Sequence, residues 1–228
     1  MARAVQVING IYLIAGANVT SSEDAAAYLV EFGKELVMID SGAGRTAELL
    51  ERNIREVGLD PENISTIVLT HRHIDHIGGA PYFRRLFGCR IVMHDLDADA
   101  VEQGDPIQTV ANWYEVKFPP TPVDLRISFE EEAMNFNDHT LNILHTPGHT
   151  PGSISLYMDR DGRRILFGQD IHGPFFPRLG ADLSIWRKSM ERLLDLKADI
   201  LFEGHFGIFQ PGEAVERFIR GHLNRNKV

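Results

Sequence analysis

"LTHRHIDHIGG", residues 69–79, packs His71, His73, Asp75 and His76 into one short stretch. An apolar run, "ISTIVLT" (64–70), leads straight into it and reads as a short strand. Side chains alternate along extended chain, so His71 and His73 point the same way. Asp75 and His76 follow in the turn, where they can face a second centre close by. Gly78 and Gly79 then let backbone pass near the cluster. Imidazoles crowded beside a carboxylate are metal-ligand chemistry. A solvated polar turn is the plainer reading, so the decision rests on whether the rest of the chain supplies partners.

Partners stand at strand ends further along. His149 lies in "LHTPGHTPGS" (144–153), a loop shaped by Pro and Gly after an apolar strand. Asp170 closes "RRILFGQD" (163–170), and His205 closes "DILFEGH" (199–205). Strand ends are where sites gather on α/β scaffolds. The set divides between two metals. His71, His73 and His149 take the first, Asp75, His76 and His205 the second, and Asp170 bridges them. Two divalent ions about 3.5–4 Å apart then straddle a water-derived hydroxide. Imidazole and carboxylate donors without thiolate suit zinc, and also iron or manganese. A closed structural zinc would use four ligands, often cysteines; these donors include no cysteine, which favours an open catalytic centre.

Outward from this cluster, strands and helices alternate. "AVQVINGIYLIAG" (4–16) and "AYLVEFGKELVMIDSG" (27–42) read as strands joined by turns, with "FGKE" a hairpin. "GRTAELLERNIREVGLD" (44–60) is an amphipathic helix that puts Leu49, Leu50, Ile54 and Val57 on one face. "APYFRRLFG" (80–88) is a short helix and "CRIVMH" (89–94) a strand. "ANWYEVKFPPTPVD" (111–124) reads as a surface excursion. Strands return from about residue 125, including a hairpin turning at Asp161-Gly162. Two helices, "LSIWRKSMERLLDLKA" (183–198) and "PGEAVERFIRGHLNR" (211–225), flank the strand that ends at His205. The pattern is α/β, with one domain over 1–228 as the simplest account.

The net charge of -9, with no basic block, argues against a nucleic-acid partner. The lone cysteine, Cys89, forms no intramolecular disulfide and suits a reducing compartment. No run reaches the roughly 18 apolar residues of a membrane span, so the expected setting is cytoplasmic, with a small-molecule substrate and no membrane partner. Exposed loop aromatics leave room for a homodimer.

With those residues in place, the chain resembles the metallo-β-lactamase-fold superfamily. The matching stretches are "THRHIDHIGG" (70–79), "HTPGHTPGSIS" (145–155), "FGQD" (167–170) and "EGH" (203–205), with Asp40 in "VMIDSG" at the position of an early aspartate. The resemblance implies a four-layer αβ/βα sandwich with the site on one edge, and gives Asp40 the task of hydrogen-bonding near the metal ligands. It points to a dinuclear zinc hydrolase in which Asp75 helps hold the nucleophile and no serine or cysteine is needed. Within the superfamily it resembles the glyoxalase II-like branch, which cleaves thioesters, without that branch's C-terminal glutathione-binding region. Lactones are the neighbouring substrate class, although the lactonases' tyrosine position is Gly173 here. The bridging Asp170 counts against a true β-lactamase. Persulfide dioxygenases resemble the same ligand set but use one iron and consume oxygen; metal analysis separates the two.

Around the site, His172 lies two residues beyond Asp170 and reads equally as a candidate donor to a substrate oxyanion or as a solvent-facing histidine. Arg178 and Lys117 are cation candidates for an anionic tail. "NWYEVKF" (112–118), "GPFFPRL" (173–179) and Trp186 read as packing residues or as walls of a partly apolar cleft. His94 reads as structural, His145 as flanking the strand before His149 with a place near the site as the minor alternative, and His222 as surface on the last helix.

Overall fold

The computed structural model describes residues 3–227. The chain divides into two compact units that meet in sequence between Ile127 and Ser128.

The first unit holds β1 (Val5–Ile8), β2 (Ile11–Ala15), β3 (Ala27–Phe32), β4 (Glu35–Ile39), α1 (Ala47–Glu56), β5 (Ile64–Val68), α2 (Ile74–Ile77), α3 (Ala80–Phe87), β6 (Arg90–His94), α4 (Asp95–Gln103) and β7 (Leu125–Ile127). Its strands form one sheet in the order β1-β2-β3-β4-β5-β6-β7. The first four pair antiparallel, and β4 to β7 run parallel. The hairpin at Gly33 needs its left-handed backbone, φ 69°. The parallel strands β4, β5 and β6 are buried almost throughout, as continuous apolar runs with covered faces must be, whereas the edge strand β7 is mostly exposed. α1 buries Leu50 and Ile54 in this core. Segment 111–124 forms no helix or strand, although Ala111, Phe118 and Thr121 are buried.

The second unit holds β8 (Glu131–Phe136), β9 (His139–His145), β10 (Ile154–Arg160), β11 (Arg163–Phe167), α5 (Leu183–Asp195), β12 (Ile200–Glu203), β13 (Gly207–Phe209) and α6 (Gly212–Arg225). Its sheet runs β13-β12-β11-β10-β9-β8. Only β11 and β12 pair parallel; the rest are antiparallel. Asp161 (φ 52°) and Gly162 (φ 71°) make the β10–β11 hairpin turn with two left-handed residues. Trp186, Met190, Leu193, Val215 and Ile219 from α5 and α6 pack with Leu166 and Leu201 into this unit's core. Among the described residues no helix is long and apolar enough to cross a membrane.

Each sheet contains a parallel pair whose C-terminal ends carry chemistry. In the first, Ile39 on β4 is in register with Val68 on β5, which puts Asp40 beside Leu69 and Thr70. In the second, Phe167 on β11 is in register with Phe202 on β12. Asp170 and His205 each lie three residues beyond that matched pair.

Candidate metal centre

In the first unit, Asp40 adopts a left-handed backbone, φ 57°, one residue past β4. Strain of this kind in a non-glycine residue persists only where the surroundings impose it. Here the carboxylate is fully buried and fully used. Oδ1 accepts from Thr70 N–H at 2.8 Å, and Oδ2 accepts from Thr70 Oγ1 at 2.7 Å and from His76 Nδ1 at 2.7 Å. Burial pushes the Asp40 carboxyl above its ordinary pKa, while His76 and the two Thr70 donors pull it back. With Nδ1 held by the carboxylate, His76 turns Nε2 the other way, 3.8 Å from Asp75 Oδ2. His71 Nε2 stands 3.2 Å from His73 Nδ1. All four of these side chains are buried.

Two features hold this cluster, the first of them missed in the sequence. Arg72, between the histidines, points away from them and forms a buried ion pair with Asp97 at 3.2 Å; its backbone N–H donates to the same carboxylate. The pair sets the alternation that leaves His71 and His73 together, and a lone Asp inside an acidic helix carried no signal of it. The second is close approach. A Cβ on Gly78 would lie 2.2 Å from the Ala43 carbonyl carbon, so only glycine fits there.

In the second unit, His149 sits in a loop closed by Thr146 N–H to Ser153 O at 2.9 Å and Thr150 N–H to Ser153 Oγ at 3.0 Å. A Cβ on Gly148 would lie 2.3 Å from Trp186 Cβ, so the loop rides directly on α5. His149 Nδ1 donates to Pro174 O at 2.9 Å, which directs Nε2 to Asp170 Oδ2 at 3.5 Å. The other Asp170 oxygen, Oδ1, stands 3.3 Å from His205 Nε2. Asp170 therefore offers one oxygen to each imidazole, and like Asp40 it is left-handed, φ 53°.

His172 is not solvent-facing. Its Nδ1 donates to Glu203 Oε1 at 2.6 Å, so in the neutral ring Nε2 carries the lone pair. Glu203 is fully buried, and its second oxygen accepts from the backbone N–H groups of His205 and Phe206 at 2.8 and 3.0 Å. Asp170, His172 and Glu203 bring ligand-capable atoms within 4.8 Å of one another. The role of Glu203 was visible only as a letter in "EGH".

The remaining residues divide more plainly. His94 caps α4, its Nδ1 accepting from Leu96 N–H at 3.3 Å. His145 Nε2 donates to Pro151 O at 2.9 Å. Trp186 is core, 1% exposed, with its indole N–H donating to Ile171 O, and Phe175 packs on it at 4.9 Å. His222 is half-buried among aromatic rings, and burial with the nearby Arg225 charge lowers its pKa. Arg178 and Lys117 are both exposed.

These donors fit a divalent cation. On a tetrahedral zinc with Zn–N bonds of 2.0–2.1 Å, neighbouring ligand atoms lie roughly 3.3 Å apart. The facing donors within each unit are separated by 3.2 to 3.8 Å. Residues 23–205 match the Lactamase_B family, described as the metallo-beta-lactamase superfamily. The chain belongs to that superfamily, whose members are generally metal-dependent hydrolases, and the fold implies divalent-metal binding. It is 30% identical to the acyl-coenzyme A thioesterase MBLAC2 of Homo sapiens over 88% of this chain and 80% of that one. It is 32% identical to a probable metallo-hydrolase of Methanocaldococcus jannaschii over 57% of this chain; that match spans only 60% of the relative's length. Among solved structures, the subclass B3 metallo-beta-lactamase BJP-1 of Bradyrhizobium japonicum superposes with a TM-score of 0.79 at 23% identity, covering 98% of this chain and 92% of that one. A metallo-beta-lactamase of Cronobacter sakazakii superposes with a TM-score of 0.82 at 20% identity over the same shares. These likenesses show the mixed α/β fold with two sheets.

Proposed function

We propose that the protein is a dinuclear metal hydrolase that cleaves thioesters, with His71, His73 and His149 holding one ion, Asp75, His76 and His205 the other, and Asp170 shared between them. The observation that carries the reading is Asp170 itself, one carboxylate oxygen facing His149 and the other facing His205. Similarity to an acyl-coenzyme A thioesterase over most of both chains supports the thioester as substrate. Zinc is the metal that best suits these donors, with iron or manganese next.

When bound, the ions supply Lewis acidity toward the carbonyl oxygen and lower the pKa of a water. The chain's own residues do the rest. Asp40 and Pro174 O take the outward N–H groups of His76 and His149, which fixes the tautomer and the orientation of both rings. Asp75 holds the attacking water's hydrogen. Water oxygen adds to the thioester carbon, the C–S bond breaks, and the sulfur leaves with the electron pair and takes a proton. The products are a carboxylate and a thiol, with no net oxidation. His172, pinned by Glu203, orients the leaving side of the substrate.

The test is metal quantification of the purified chain together with anaerobic hydrolysis of acetyl- and octanoyl-coenzyme A. Two equivalents of metal and oxygen-independent release of thiol are expected. One iron with oxygen uptake would replace the hydrolase with the dioxygenase reading, and turnover of lactones alone would move the substrate class.

A further inference from the structure

Resting on the thioester reading, we propose that an aromatic shelf around Phe206 is a subsite for the substrate's acyl chain. Phe206 directly follows His205 and is 59% exposed. Its backbone is fixed by the same Glu203 oxygen that fixes His205. Its ring lies 4.7 Å from that of His172, 6.1 Å from Phe218 and 6.2 Å from His222. Phe218 continues the series, 4.6 Å from His222 and 4.2 Å from Phe209. Phe209 and Phe218 pack on the core of the second unit, so the shelf is rooted while Phe206 forms its exposed lip.

The shelf starts at a proposed metal ligand and leads away from it, which is where the non-reacting part of a substrate has to lie. The ring angles suit an acyl chain. Phe206 meets its neighbours at 72°, 55° and 64°. A flexible alkyl chain conforms to tilted and edge-on rings of this kind. A large exposed aromatic beside a reaction centre is also an unusual place to leave apolar surface uncovered.

The test is calorimetric titration of the metal-loaded full chain with non-hydrolysable thioether analogues of acetyl- and octanoyl-coenzyme A. Each buried methylene adds roughly fourfold in affinity. The wild-type protein should therefore prefer the octanoyl analogue by about tenfold or more. Phe206→Ser should reduce that preference to about threefold or less, and Phe206→Leu should retain most of it. Equal affinity for the two analogues in the wild type would overturn the proposal, as would a preference that survives in both Phe206→Ser and Phe218→Ala. Free coenzyme A bound by the wild type and lost in Phe206→Ser would assign the shelf to the nucleotide instead. A chain-length preference that disappears in Phe206→Ser, in a protein that hydrolyses neither thioester, would keep the subsite and discard the thioesterase reading.

Discussion

The two units place their candidate ligands by opposite means. In the first, four donors come from one short stretch, and their geometry is set locally. A strand end points two imidazoles together, a single-turn helix carries the next two donors, and Asp40 reaches across from the neighbouring strand to hold Thr70 and His76. In the second, His149, Asp170 and His205 come from three separate loops, and sheet register and α5 bring them together. Both arrangements spend backbone strain on an aspartate, at φ 57° and 53°.

The sharpest way to break this contrast is Asp170→Ala. It removes the one side chain that serves both imidazoles, so metal content should fall from two equivalents and turnover by about 10³-fold or more. Full activity without it would refute the shared role. Asp40→Asn comes next. It faces the His76 N–H with an amide donor, and metal affinity measured by competition titration should drop about 10–100-fold. Glu203→Ala should lower the melting temperature by roughly 4–8 °C, because three donors lose a buried acceptor. Glu203→Gln should recover most of that loss by keeping the turn to His205. If the two variants melt alike, the anchor does not act through the turn. A smaller effect is expected from His172→Ala, about tenfold in turnover with metal content unchanged. An unchanged rate would return His172 to a packing role.

The smallest expected effect lies away from both clusters. Burial pushes the Cys89 thiol up to about 11. A raised acid stays protonated in the folded state while the unfolded thiol ionises near its ordinary range of about 8.5. Stability is therefore lost as pH rises above that range and not as pH falls. Alkylation at pH 9 should be at least about tenfold slower in the native protein than in denaturant. Equal rates would mean that Cys89 is open to solvent.

The residues of "THRHIDHIGG" were legible as a candidate metal cluster because donor type and spacing lie within a few covalent bonds of each other. The alternation of apolar runs with Gly and Pro, and the hairpins at Gly33 and Asp161-Gly162, were legible for the same reason. Trp186 was readable as cleft wall or core, and only packing against Ile171 and Phe175 decided for the core. What tertiary structure alone decided lies between segments far apart in sequence: the Arg72–Asp97 pair, the register that sets Asp170 against His205, the double duty of Glu203, and the rings gathered around Phe206. A single letter carries its chemistry but not its neighbours, and hydrogen-bond partners that are dozens of residues apart are fixed only once the sheets bring their strand ends side by side.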